Sequence, residues 1–192
     1  AIENLGTDFL FPEIKYKFHA CCHGLHSFLE ALDEMKLENN FNPETIEEIA
    51  IETNPSWLKV CNIEEPKTGL ESKFSYKLTA AMSIYGKDTS NLDTYSDEIC
   101  FDDKLNNIRD KVRVIPNDNL SNTQSLISIK DGSSNVKNKH DLSDKIENNI
   151  LETKIVNKSV SLLSETKSNQ ISKILNAPNE NKVDALVDCL VG

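Results

Sequence analysis

At 192 residues the chain has room for one ordinary domain, or for a small domain with an appendage. Its 31 Asp and Glu against 21 Lys and Arg leave a formal net charge of -10. That balance excludes a nucleic-acid-binding face, which needs clustered basic side chains rather than lysines interleaved with more numerous acids.

In chain order, Leu10 to Phe18 alternates loosely around Pro12 and reads as an extended entry segment. It leads into Lys17-Phe18-His19-Ala20-Cys21-Cys22-His23-Gly24-Leu25-His26, which holds three of the four histidines and two of the five cysteines. Leu25, Phe28, Leu29, Leu32 and Met35 follow at helical spacing, so a helix is predicted from Cys22 to Leu37, ended by Asn39, Asn40 and Pro43. Ile49 to Thr53 alternates as a strand. Leu70 through Tyr85 is apolar-periodic and reads as a second core helix, closed by Gly86 as a C-cap. Asp97 to Ile108 reads as a shorter helix with an acidic outer face.

Lys111 to Ile115 and Ser125 to Lys130 alternate as strands, expected to pair with each other through Pro116 to Thr123; the turn Asp131-Gly132 follows. Ser133 to Asp144 is polar and expected to be poorly ordered. Three amphipathic runs close the chain: Ile146 to Leu163, Gln170 to Leu175 and Val183 to Val191. From about Asn117 onward, Asn, Ser, Lys and Asp displace large apolar residues, so these helices have little to cover their apolar faces and are expected to dock on a larger surface.

No apolar run is long enough to span a bilayer, and the opening Ala-Ile-Glu-Asn lacks the basic and apolar regions of a signal peptide. A cytoplasmic location without a membrane partner is therefore expected, and the odd number of cysteines reads as reduced thiols. The absence of an initiating Met reads as a processed piece or a fragment.

The histidine block permits three kinds of chemistry. His19, Cys22, His23 and His26 have spacings that zinc ligands use on a helix, but no second ligand pair stands at a distance, so no metal is expected. A thiol nucleophile at Cys21 or Cys22 with a neighbouring histidine as base is a second reading. Adjacent residues of an extended chain point to opposite faces, so at most one thiol shares the His19 side, and Cys21 is read as a small packed hydrophobe. In the third reading Lys17 supplies a point charge and His19 a proton shuttle for a carboxylate. Lys73 and Lys77, beside the hydroxyls of Ser75 and Thr79, form either a second cationic wall or the wet face of an amphipathic helix.

At these segments the sequence resembles the MmgE/PrpD family of 2-methylcitrate dehydratases, aconitate decarboxylases and iminodisuccinate epimerases. The resemblance rests on the lysine-to-histidine block 17–26, Ile46-Glu-Glu-Ile, Gly69-Leu-Glu-Ser-Lys-Phe-Ser, Ala80-Ala-Met, Asp88-Thr, Leu92-Asp-Thr-Tyr-Ser-Asp and Lys111-Val-Arg-Val. It implies an α+β fold: the family's small C-terminal domain, a β-sheet packed by helices and followed by C-terminal helices. The corresponding division is residues 1–132 for the α+β domain and 133–192 for a polar linker with helices that dock on a helical domain absent from this chain. Family members place their active site in the cleft between the two domains and need no metal or cofactor.

By resemblance Lys17 is the active-site lysine, Cys22 the cleft position five residues on, and His19 the third catalytic candidate. His26, Lys73 and Ser75 would line the substrate. Leu78 stands where many members carry a tyrosine, and the Asp88-Thr and Leu92-to-Asp97 wording is closer to the epimerase-like branch. The implied partners are a di- or tricarboxylate, a helical domain in the same enzyme or in a separate chain, and a second copy in a homodimer. The implied activity is that of a lyase or isomerase moving a proton next to a carboxylate, with the chain inactive alone. A non-catalytic interaction module is the alternative.

Overall fold

A computed structural model of the chain describes residues 6–7, 14–132, 134–178 and 182–191. A single 3₁₀ turn, His23–Leu25, leads into α1 (His26–Glu38). The turn buries Leu25 and the helix buries Phe28, Leu29, Ala31, Leu32 and Met35, together the stripe that the three-and-four spacing anticipates. Asn39 ends it, donating its amide back to the Met35 carbonyl.

Helix α1 packs on a four-stranded sheet of β1 (Ile46–Thr53), β2 (Val112–Pro116), β3 (Gln124–Asp131) and β4 (Ser134–Asp141), in the order β2-β1-β3-β4. β1 runs parallel to β2, with Ile49 opposite Val112, and antiparallel to β3, with Ile49 opposite Ile129 and Ile51 opposite Ile127. The period-two alternation sends Ile49, Ile51 and Thr53 of β1 and Ser125, Ile127 and Ile129 of β3 into the core. The opposite face is charged, with Arg113 3.3 Å from Glu48 and the Asn117 amide donating to Glu52 at 2.7 Å.

The expected pairing of the Lys111–Ile115 and Ser125–Lys130 strands does not occur, because β1 lies between them. β1 is the most buried strand and takes a central place, where two neighbours satisfy its backbone. The connection 117–123 straddles its end: the Asn117 amide donates to the Thr53 carbonyl at 2.9 Å, Asn54 Nδ2 to Leu120 at 2.7 Å and Trp57 Nε1 to Asn122 at 2.8 Å.

The stretch from Ser134 to Asp141, read from composition as polar and poorly ordered, is edge strand β4, paired with β3 along its whole length. Its inward positions are Val136, Asn138 and His140, so the alternation is hidden by two polar residues. Both are used: Asn138 Nδ2 donates to the Ala31 carbonyl and to Glu34, and His140 Nδ1 lies 2.8 Å from Glu34.

The crossover from β1 to β2 carries short helices: α2 (Pro55–Leu58), α3 (Gly69–Ser72), α4 (Tyr76–Ile84) and α5 (Asp103–Arg109). The single helix expected over Leu70 to Tyr85 is therefore two. The carbonyls of Lys73 and Phe74 are diverted to the amides of Cys22 and Ile63, and Ser75 starts a new helix by accepting from the Leu78 amide. Gly86, at φ +68, closes α4 as expected. The Asp97-to-Ile108 helix is likewise a 3₁₀ turn, Glu98–Phe101, followed by α5, because the Asp102 carboxylate caps the amides of Lys104 and Leu105.

Three helices end the chain: α6 (Asn148–Leu163), α7 (Glu165–Asn176) and α8 (Lys182–Val191). Neither α6 nor α8 contains a buried residue, and α7 buries only Ser168. Ile150, Ile155, Val156, Leu162, Leu175, Val187 and Leu190 are exposed, as the uncovered amphipathic faces predict. No described helix is long and apolar enough to cross a membrane. Of the expected entry segment Leu10 to Phe18, residues 10–13 lie outside the described residues, and 14–18 form no helix or strand.

Candidate functional site

The histidine block is an extended segment stitched to two loops. The Ala20 amide donates to the Thr89 carbonyl at 2.8 Å and the Cys22 amide to the Lys73 carbonyl at 2.9 Å. Residue alternation along it buries His19 and Cys21 and leaves Phe18, Ala20 and Cys22 partly accessible. Lys17 is exposed.

His19 is 5% exposed, and both its ring nitrogens are engaged. Nε2 lies 3.2 Å from Glu30 Oε1, and Nδ1 lies 2.8 Å from the Thr89 hydroxyl. Burial works to raise the Glu30 carboxyl, but the His19 hydrogen bond and the Lys154 ammonium outweigh it and hold it at about 2. An ionised carboxylate only accepts, so Nε2 of His19 carries the proton. Lys154 comes from α6, its ammonium paired with Glu30 and lying 5.1 Å over the Phe18 ring. Thr89 is fixed in turn by the Tyr95 hydroxyl, which donates to its carbonyl at 3.1 Å.

His26 is a structural crosslink. Nδ1 donates to the Cys22 carbonyl at 3.1 Å, and Nε2 accepts from the His19 amide at 3.4 Å. A carbonyl cannot donate and an amide cannot accept, so this arrangement requires the neutral ring. Burial, followed by the His19 charge, pushes its pKa down to about 3. The His19 and His23 rings each lie 5.2 Å from the His26 ring, and His23 is shifted down by burial and then by Lys17.

The thiols divide as alternation predicts. Cys21 is 3% exposed, and burial, only partly offset by a hydrogen bond with Tyr95, pushes its thiol up to about 12. It packs as a small apolar residue. Cys22 is partly accessible and lies beside the buried Cys61, whose thiol is raised by burial and by Cys22. Lys73 directs its ammonium over the Tyr95 ring at 5.6 Å. Ser75 is fully buried as the cap of α4.

Beside the block, a cleft of ≈ 970 Å³ opens between α1, β4 and α6. Of the six residues singled out from the sequence, only His19 lines it, with Phe18 beside it. The structure thus joins Lys17, His19, Cys22 and His26 along one segment and reaches Lys73 through the Cys22 backbone. The cleft's acids, Glu30, Asp33, Glu34, Asp88, Asp144 and Glu147, outnumber its lysines, Lys139, Lys145, Lys154 and Lys158, so no uniformly positive field fills it. Among the described residues no group of three or more His, Cys, Asp or Glu side chains is arranged to hold a metal ion.

Sequence reasoning missed Glu30, Thr89, Lys154 and Lys158. Two signals were present: Glu30 stands one helical turn after His26 on the buried side of α1, and Lys154 and Lys158 are four apart on α6. The chain matches the family model described as the MmgE/PrpD C-terminal domain over residues 19–177. The match starts at His19 and runs through α6 and α7. No curated protein matches the chain.

Proposed function

The chain belongs to the MmgE/PrpD C-terminal domain family, and we propose that it forms one wall of the carboxylate-binding cleft of a lyase or isomerase acting on a di- or tricarboxylate. The observation that carries the reading is the His19 assembly. Glu30, Thr89 and Lys154, drawn from three separate parts of the chain, fix one buried histidine two residues from the exposed Lys17. A ring with both nitrogens held by protein groups is a positioning element, so Lys17 is the group that meets the acid.

In this mechanism Lys17 holds or protonates a carboxylate, while His19 and Cys22 shape the pocket around it. The principal base for the adjacent C–H comes from a helical domain, in the same enzyme or a separate chain, and the chain alone is inactive. Lys73 flanks the block, and Ser75 sets the α4 start on which that flank rests. The reaction is elimination, decarboxylation or epimerisation, without a cofactor, in a cytoplasmic homodimer.

The test is to assay the chain, alone and co-expressed with a family helical domain, on 2-methylcitrate and related acids. Turnover only in the pair supports the reading; turnover by the chain alone overturns the assignment of the base.

A non-catalytic interaction module is the second reading, favoured by the exposed apolar residues of α6 to α8. Stable association with a helical domain without turnover of any di- or tricarboxylate would select it.

A further inference from the structure

Resting on the positioning role of His19 and the helical partner proposed above, we infer that α6 is a latch on His19. Its lysines key the helix to both sides of that ring, so that whatever secures α6 secures the histidine.

α6 contains no buried residue and stands beside the ≈ 970 Å³ cleft rather than filling it. Among its half-buried positions are Leu151, Lys154, Lys158 and Ser161, spaced three or four apart and so aligned on one stripe. Three of these four are polar, whereas Ile155, Val156, Leu162 and Leu163 are exposed. The helix thus turns a polar stripe toward the α+β body and leaves apolar residues for another surface.

The bonds from that stripe converge on one ring. Glu30 divides its carboxylate: Oε1 lies 3.2 Å from Nε2 of His19, and Oε2 accepts from the Lys154 ammonium. On the other side, Lys158 donates to the Ser90 carbonyl at 2.6 Å and the Ser161 hydroxyl donates to the same oxygen at 3.4 Å. Ser90 follows Thr89, whose hydroxyl lies 2.8 Å from Nδ1 of His19. Lys154 also stands 5.1 Å over the ring of Phe18, the residue before His19. One helix therefore holds the carboxylate on one ring nitrogen and, one residue removed, the hydroxyl on the other.

An attachment of this kind opens and closes. The Lys154 side chain is 31% exposed, and an ion pair so placed shifts an opening equilibrium only several-fold. With no buried apolar residue of its own, α6 opens more readily than the body it is bonded to. It does not move alone: α6 packs on α7, where the Ser159 and Ser168 hydroxyls bond, and α7 packs on α8. A helical domain seated on the exposed apolar residues of these helices favours the closed latch, and closure keeps Glu30 and the Ser90 loop against His19.

The experiment follows amide exchange in α6 and the ring resonances of His19 in the full chain. Lys154→Met and Glu30→Gln should each speed α6 exchange about fivefold, the effect of one partly exposed ion pair, and the double variant should go no further. Lys154→Arg keeps the pair and should exchange as the parent does. Added salt should speed exchange in the parent and leave Lys154→Met unchanged. Val156→Pro, at an exposed position, breaks α6 without touching the histidine block and should move the His19 ring signals in the direction that Lys154→Met moves them. Unmoved His19 signals in Val156→Pro, or fully additive effects of Glu30→Gln and Lys154→Met, would overturn the latch. Adding a family helical domain should slow α6 exchange; no slowing would overturn the docking reading and leave the latch within the chain standing.

Discussion

The hydroxyl of Thr89 lies 2.8 Å from Nδ1 of His19 across 70 residues of sequence, and the backbones of the two segments are joined by the Ala20 amide on the Thr89 carbonyl. Removing the hydroxyl while keeping the shape, Thr89→Val, leaves a buried ring nitrogen unpaired. The expected cost is about 1 kcal/mol in urea unfolding. A double cycle with His19→Phe should recover most of that cost, because the nitrogen that needed the hydroxyl is gone. Full additivity of the two changes would show that the contact carries no energy.

The neutral His26 makes stability depend on pH with a definite sign. Its pKa is about 3 in the fold, against 6.5 for a free histidine, so between those values the unfolded chain binds the extra proton. Stability is therefore complete above about pH 6.5 and falls as the pH drops toward 3. His23 moves in the same direction. Glu30 adds a second loss, from its ordinary 4.5 down to about 2. Thermal unfolding of the parent should show a midpoint that declines from pH 6.5 to 5, and His26→Gln should flatten that decline while lowering the midpoint at pH 7.5. An unchanged slope in the variant would remove His26 as its source.

Gly24 is set by close packing. A Cβ there would meet the Trp57 ring at 2.4 Å and Cys61 Sγ at 2.8 Å, and the Trp57 ring is held by its Nε1 on the Asn122 carbonyl. The Gly24 carbonyl also accepts from the Tyr76 hydroxyl at 2.7 Å. Gly24→Ala should cost about 1 to 3 kcal/mol through overpacking, read from the urea midpoint. A neutral result would mean that Trp57 gives way freely.

Ser164, between α6 and α7, has φ +80 and ψ 156, a region that suits glycine. Its amide still donates to the Val160 carbonyl and its own carbonyl accepts from the Ser168 amide, so the surrounding helices hold the strained geometry. Ser164→Gly should stabilise the α6–α7 junction by about 1 kcal/mol, after allowing for glycine's greater freedom when unfolded. Slower amide hydrogen exchange in α6 and α7 is the expected readout; faster exchange would mean that the serine contributes more than its backbone costs.

Much of this protein was legible without coordinates. Apolar spacing determined α1, its stripe from Leu25 to Met35, the alternating strands around Ile49, Ile51, Ile127 and Ile129, and the amphipathic helices at the C-terminus, because each pattern is local and repeats with the period of its own element. The quoted motifs also pointed to the family that the match over residues 19–177 bears out. The pairing of β1 between β2 and β3, the division of the Leu70–Tyr85 run and the strand β4 were decided only by tertiary contacts. Lys73 and Phe74 give their carbonyls to distant amides, and Asn138 and His140 occupy inward sites by bonding to α1. The opening cluster shows the same limit: composition marked Lys17 to His26, but Glu30 and Thr89 reach His19, and Lys154 reaches Glu30, from separate elements. Hydrogen bonds and ion pairs depend on distance in space, which local periodicity along the chain does not encode.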